Sequence, residues 1–137
     1  MGDVPFTERE TVTESTTLRE ILHRLPASRQ NYFPVVDEAG RLVGIFSTDD
    51  VRSYFFDESL WQLAIARDIM TTRLVTVTPE DDLNTAIRRF TELNLDEIPV
   101  VAADDSVKLC GMLRRKDAIA LYNRRLLELK QATAEQA

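Results

Sequence analysis

The sequence predicts an α/β (α+β) protein made of two copies of one β-α-β-β-α unit. Three observations lead there: an internal repeat that keeps apolar residues, Pro, Gly and Asp in register, short Val- and Thr-rich runs, and apolar residues at helical spacing. At an offset of 65, Val12-Thr13 falls on Val77-Thr78, Leu18 on Leu83, Leu22 on Ile87 and Leu25 on Phe90. Phe33-Pro34-Val35-Val36 falls on Ile98-Pro99-Val100-Val101. The next turn is two residues longer in the second copy, so the offset becomes 67 and Leu42, Gly44 and Asp50 meet Leu109, Gly111 and Asp117. Chance rarely preserves both spacing and residue type over such a length.

Each copy opens with a short strand, Glu10 to Thr13 or Leu74 to Thr78. An amphipathic helix follows, Thr17 to Leu25 or Asp82 to Leu93, with Leu18, Ile21, Leu22 and Leu25 on one face. A β-hairpin comes next. The first is Pro34–Val36, a turn at Asp37-Glu38-Ala39-Gly40, and Leu42–Phe46; the second is Pro99–Val101, a turn through Asp104-Asp105-Ser106, and Lys108–Leu113. These strands lack alternation and are expected to be buried on both faces. A closing helix runs Asp49–Phe56 or Lys116–Leu129, and Ser59–Arg67 reads as a connecting helix. One copy buries little apolar surface alone, so the two halves are expected to share a core, sheet to sheet.

At 44% hydrophobic and 29% charged, the 137 residues suit a globular protein rather than a disordered segment. A net charge of −6 argues against general nucleic-acid binding. No apolar run approaches a membrane span, no signal peptide is evident, and a lone Cys110 excludes an internal disulfide, which fits a cytosolic setting. One His and one Cys supply no tetrahedral zinc set. His23 reads as an exposed or half-buried helix residue, and Cys110, aligned with Val43, as core. Acidic pairs such as Asp49-Asp50 and Asp81-Asp82 read as helix starts, and no phosphate-cradling glycine loop occurs. No residue set is visible that would carry catalysis.

Ser47-Thr48-Asp49-Asp50 sits between a strand and a helix, where Ser47 serves as N-cap and Asp50 occupies the first turn. Such a cap stabilises a helix by roughly 0.5–2 kcal/mol. The same groups can also accept bonds from ribose hydroxyls and face a phosphate. The second copy carries Arg114-Arg115-Lys116-Asp117 instead. Its three cations oppose the helix dipole at about 0.3–1 kcal/mol each if they form only a solvated face; as a ligand site they suit a polyphosphate.

The stretches F-P-V-V-D-E-A-G-R-L-V-G-I-F-S-T-D-D-V (33–51), R-D-I-M-T (67–71), V-T-V-T-P-E-D-D-L (75–83), I-P-V-V (98–101) and G-M-L-R-R-K-D (111–117) resemble the cystathionine-β-synthase-type (CBS) domain family, over nearly all of residues 8–125. The resemblance implies two CBS motifs (8–58 and 69–125) joined by a connecting helix (59–68) and followed by a helix end and tail (126–137). It implies a pseudo-twofold Bateman-type module with a cleft between the halves, each cleft able to hold AMP, ADP or ATP as a regulatory ligand, and a homodimer. One site would combine Val12, Thr13, Asn31, Tyr32, Phe33 and Pro34 with Arg114, Lys116 and Asp117. The other would combine Val77, Thr78, Glu97, Ile98 and Pro99 with Ser47 and Asp50, and Glu97 would repel phosphate there. Core packing is the alternative for Phe33, Pro34, Ile98 and Pro99, and for the Phe33 and Ile98 side chains it is at least an equal reading.

N-Y-F-P-V-V, A-R-D-I-M and L-R-R-K-D-A-I-A-L-Y look most similar to the cytosolic CBS pair of CLC-type chloride channels and transporters. That would place the chain in the cytoplasm, fused to a membrane domain outside this sequence. Gln30 stands where some such pairs place an aromatic against adenine. A purely structural dimerisation module with vestigial clefts, using Tyr54, Phe55, Phe56, Leu60 and Trp61 as partner surface, is the competing reading, alongside a stand-alone pair regulating another protein.

Overall fold

The computed structural model describes residues 4–28 and 30–136. The chain divides into two compact units: 8–74 with 104–109, and 4–7 with 75–103 and the chain from 110 onward. The first follows the first sequence copy and the second the other, with short segments exchanged.

In the first unit, β1 (Val12–Thr13) pairs in parallel with β2 (Tyr32–Val36), which pairs antiparallel with β3 (Leu42–Ser47). The hairpin turn is built on Asp37, whose Oδ1 accepts from the backbone N–H groups of Ala39 and Arg41 at 2.9 Å each. Gly40 takes φ +80°, which its lack of a Cβ allows. The Arg41 amide is the main cause holding the Asp37 carboxyl below its ordinary value of 3.8, and the Arg41 guanidinium adds to it. Phe33, Pro34 and Val35 are buried in succession, as the missing alternation predicts. β3 departs from that prediction: Leu42, Gly44 and Phe46 are buried and the residues between them only half-buried.

Helix α1 (Leu18–Arg24) is capped by Thr17, whose Oγ1 accepts from the Glu20 N–H. Two of its first N–H groups also donate outward, Leu18 to Ala64 O (2.9 Å) and Arg19 to Trp61 O (2.8 Å). Ala66 N donates to Thr16 O and Arg67 N to Glu14 O. These bonds explain why no continuous connecting helix forms over 59–68. The backbone there is committed to the stretch before and at the start of α1, leaving a 3₁₀ turn at Glu58–Leu60 and a four-residue α3 (Ala66–Ile69). Helix α2 (Thr48–Arg52) is likewise shorter than the expected Asp49–Phe56 and ends in turns.

The second unit repeats the pattern. The expected strand at Leu74–Thr78 reduces to one parallel bridge, Val77 to Val100. Helix α4 (Leu83–Leu93) starts at Asp82, which accepts from Thr85 N at 2.7 Å, and stops at Asn94 in the left-handed conformation. The hairpin β4 (Glu97–Ala102) and β5 (Asp105–Arg114) leads into α5 (Arg115–Gln136), which continues past the expected Leu129. The C-terminal residue Ala137, included in the expected tail, lies outside the described residues.

The cores are duplicated position by position. Val12, Leu18, Ile21, Phe33, Val35, Phe46 and Val51 in the first match Val77, Leu83, Ala86, Ile98, Val100, Leu113 and Ala118 in the second. Volumes compensate: the stacked Phe33–Phe46 pair (5.3 Å between ring centroids) becomes Ile98 and Leu113, while half-buried Leu25 becomes fully buried Phe90.

Both glycines in the repeated strand permit close approach of an incoming segment. A Cβ on Gly44 would meet Met70 Sδ at 2.4 Å, and one on Gly111 would meet Thr7 O at 2.5 Å. In each case the incoming segment also bridges the strand, Thr71 to Ile45 and Thr7 to Met112. Val4 follows that second segment into the second core. Cys110 is half-buried against this core rather than fully enclosed.

Candidate functional site

The hairpin–helix junctions carry the polar residues singled out in the sequence. In the first unit, Ser47 ends β3 opposite Tyr32, and Thr48 N donates to Asn31 O at 2.9 Å. Ser47 Oγ accepts from Asp50 N at 3.2 Å, and Ser47 N donates to Asp50 Oδ2 at 2.8 Å, a complete capping box. Asn31, Tyr32, Ser47 and Asp50 therefore stand at one edge of the sheet, with Asn31 and Asp50 exposed.

Gln30 has a structural task that no sequence pattern announced. Its carbonyl oxygen accepts from Glu10 N (2.7 Å), and its amide donates to Glu10 O and Tyr32 O at 3.1 Å each. It ties the chain entering β1 to the start of β2. Val12 is buried and paired with Val35, while the exposed Thr13 shares a 2.7 Å hydroxyl bond with Thr16.

In the second unit, Arg115 N donates to Asp96 O at 2.8 Å, the counterpart of the Thr48–Asn31 bond. The side chains then diverge. Arg114 occupies the Ser47 position and clasps Asp117, Nε to Oδ2 at 2.8 Å and Nη2 to Oδ1 at 3.4 Å. Arg115 bonds Asp96 (2.7 Å) and Asn94 (3.3 Å). Only Lys116 of the three cations is exposed and without an ion pair among the described residues. The basic run is thus largely neutralised by local carboxylates, which removes most of the dipole penalty the sequence suggested.

Phe33, Pro34, Ile98 and Pro99 are all buried; the Phe33 and Ile98 side chains belong to the two cores, which leaves the backbone as their means of touching a ligand. Val77 is buried, Thr78 is half-buried with its N–H donating to Asp81 at 2.8 Å, and the Glu97 Oε1 is withdrawn from solvent. Each expected site draws on residues of both units. Within a single unit, the structure brings together Asn31, Tyr32, Ser47 and Asp50, and separately the Glu97 strand with the Arg114–Asp117 junction.

No group of His, Cys, Asp or Glu able to hold a metal occurs among the described residues, and no described helix is long and apolar enough to cross a membrane. His23 is exposed on α1. Of the expected partner surface, Tyr54, Leu60 and Trp61 are half-buried against the first core; Phe55 and Phe56 are the exposed members.

Comparison with known proteins matches the CBS domain twice, over residues 1–57 and 66–124. Inosine-5′-monophosphate dehydrogenase of Yersinia pestis is 36% identical over 111 residues, which cover 81% of this chain and 22% of the dehydrogenase. The methylated protein MJ0556 of Methanocaldococcus jannaschii is 27% identical over 136 residues, 94% of this chain and 74% of that protein. The chain thus spans about a fifth of the first relative and three quarters of the second. CBSX2, solved in complex with AMP, superposes with a TM-score of 0.72 at 29% identity, covering 91% of this chain and 94% of that one. These relatives support a CBS pair; they do not carry the narrower likeness to chloride channels.

Proposed function

Because the chain belongs to the CBS-domain family, with two copies in tandem, we propose that it is a regulatory, non-catalytic module that binds an adenine nucleotide and passes its presence to a partner. The similarity to AMP-bound CBSX2 over nine tenths of the chain is the observation that carries this reading. Each repeat adds an accessible carboxylate at a hairpin–helix junction, Asp50 and Asp117, beside a strand entry whose backbone can meet a base. A nucleotide binding two conformations unequally is all that regulation requires.

In this reading one site joins Val12, Thr13 and Asn31–Pro34 with Arg114, Lys116 and Asp117, and the other joins Val77, Thr78 and Glu97–Pro99 with Ser47 and Asp50. The Arg114–Asp117 clasp must yield if Asp117 is to hold a ribose. Its partners are 38% and 39% exposed, and such pairs contribute only about 0–1 kcal/mol. A micromolar ligand supplies about 8 kcal/mol, so the clasp biases the site without closing it. A ligand phosphate can take the place of the Asp117 carboxylate against Arg114, which favours phosphorylated ligands over adenosine.

Calorimetry with AMP, ADP and ATP tests the proposal. Binding of at least one, weakened about ten-fold or more by Asp117→Asn or Asp50→Asn, is expected. No heat and no thermal stabilisation by any of the three at millimolar concentration would instead favour a dimerisation scaffold. That second reading draws on Gln30 and Arg114, both committed to bonds within their own unit. The narrower proposal, a cytoplasmic domain attached to a CLC-type membrane protein, rests on the N-Y-F-P-V-V, A-R-D-I-M and L-R-R-K-D stretches. Ten or more apolar spans encoded upstream of Met1 would establish it, and a stand-alone pair would leave no such spans.

A further inference from the structure

The first unit holds a groove of about 580 Å³ between α1 and the segment after α2, a size that small-molecule sites take. Its apolar surface comes from Leu22, Phe55 and Trp61. The two walls are tied together, because Arg19 N donates to Trp61 O at 2.8 Å. The indole is fixed as well: Trp61 Nε1 donates to Tyr54 O at 3.2 Å. An aromatic platform is therefore in place before anything binds, and Phe55, 52% exposed, offers a second ring beside it.

The remaining wall is polar and lopsided in charge. Arg19 and His23 stand one turn apart on α1 and both line the groove. Neither side chain has a hydrogen bond or ion pair among the described residues. Glu20, the one acid on the lining, is taken up by Arg24 at 2.9 Å. The matching groove of the second unit is narrower, about 190 Å³, and carries Asn84 where the first carries Arg19. The combination of a fixed indole and an unused guanidinium thus belongs to the first repeat alone.

We propose that this groove is a ligand site, distinct from the hairpin–helix junctions, for a small aromatic carboxylate. The ring of the ligand packs against Trp61 and Phe55, where aromatic pairs gain more than their buried area alone supplies. Its carboxylate accepts from the Arg19 guanidinium and from a ring N–H of His23. One guanidinium fork matches the two oxygens of a carboxylate. The inference does not depend on nucleotide binding at the junctions.

The single tryptophan of the chain lies in the groove and serves as the reporter. Phenylpropionate is titrated into the ¹⁵N-labelled full chain and followed at the Trp61 Nε1 resonance. A saturable shift at millimolar ligand is expected, with phenylpropanamide, its uncharged analogue, bound at least about ten-fold more weakly. Arg19→Ala should weaken phenylpropionate by about the same factor and leave the amide unaffected. Phe55→Ala should weaken acid and amide alike. Arg19 and Phe55 are exposed, so circular dichroism of both variants should match wild type. AMP should not compete with phenylpropionate at Trp61. The absence of a saturable Trp61 shift overturns the inference, as does equal binding of the acid and the amide. Unchanged affinity in Arg19→Ala overturns it too, and so does competition by AMP, which would make the groove part of a nucleotide site.

Discussion

The two repeats share a scaffold and differ at the one junction where a ligand would meet polar groups. In the first, Ser47 and Asp50 complete a capping box; in the second, Arg114 and Asp117 form an ion pair at the same two positions. The backbone bond beside them is kept, Thr48 N to Asn31 O in one and Arg115 N to Asp96 O in the other. Duplication has preserved what the fold needs and let the side chains of the junction drift apart. A cap uses a neutral hydroxyl and backbone amides and depends little on salt. A half-exposed ion pair is weakened by salt and can exchange its anionic partner.

The widest separation between the repeats is expected in their cores. Phe90→Ala should cost about 3–5 kcal/mol, while Leu25→Ala, its half-buried counterpart, should fall below that range. Urea denaturation followed by circular dichroism reads both; equal costs would mean that the volume exchange between the cores is misassigned. The repeated glycines come next. Gly111→Ala drives a methyl into the Thr7 backbone, whereas Gly44→Ala meets the flexible end of Met70. About 1–3 kcal/mol is expected for Gly111→Ala and a smaller loss for Gly44→Ala. At the junctions themselves, Ser47→Ala should cost about 1 kcal/mol. Arg114→Ala should cost at most about 1 kcal/mol, with the difference shrinking in high salt.

The smallest difference is one of pH. Asp82 caps α4 where Thr17 caps α1, and Asp82 is held below its ordinary value of 3.8 by Thr85, through the side chain first and then the backbone N–H. Asp37 is lowered in the first hairpin. A lowered folded-state value means stability present above 3.8 and lost as pH falls through the folded-state value. Carbon-detected carboxyl titration should find Asp37 and Asp82 losing their charge below that pH. Loss of the α4 cap in acid with α1 unaffected would follow; a titration of either group above 3.8 would contradict it.

Much of this was legible in the sequence because repetition supplies its own alignment. The α4 boundaries with Asp82 at the helix start, the first hairpin and the Ser47 cap follow from residue type and spacing alone, whereas the second turn falls at Ala103-Asp104, so that Asp105 and Ser106 already belong to β5. The connecting segment reads as helix because Leu60, Trp61, Leu63 and Ile65 mimic helical spacing, while the backbone of Trp61, Ala64, Ala66 and Arg67 is spent on bonds to the stretch before and at the start of α1. Those partners are forty or more residues distant, beyond any local pattern. The Gln30 tie and the Arg114–Asp117 clasp were hidden for a related reason: each is a side-chain choice among several available partners, settled by geometry. The N-terminal strap to Met112 had one trace, the Gly repeated at 44 and 111.

The measurement that bears most directly on the unequal junctions is a ¹H–¹⁵N NMR titration of the full chain with AMP and with ATP, including the arginine side-chain resonances. Shifts are expected at Ser47–Val51 and Arg114–Ala118, saturating at different concentrations, with the Arg114 Nε resonance moving as Asp117 is released. Unchanged resonances at both junctions with millimolar nucleotide, or identical saturation at the two, would contradict a nucleotide-binding pair with divergent sites.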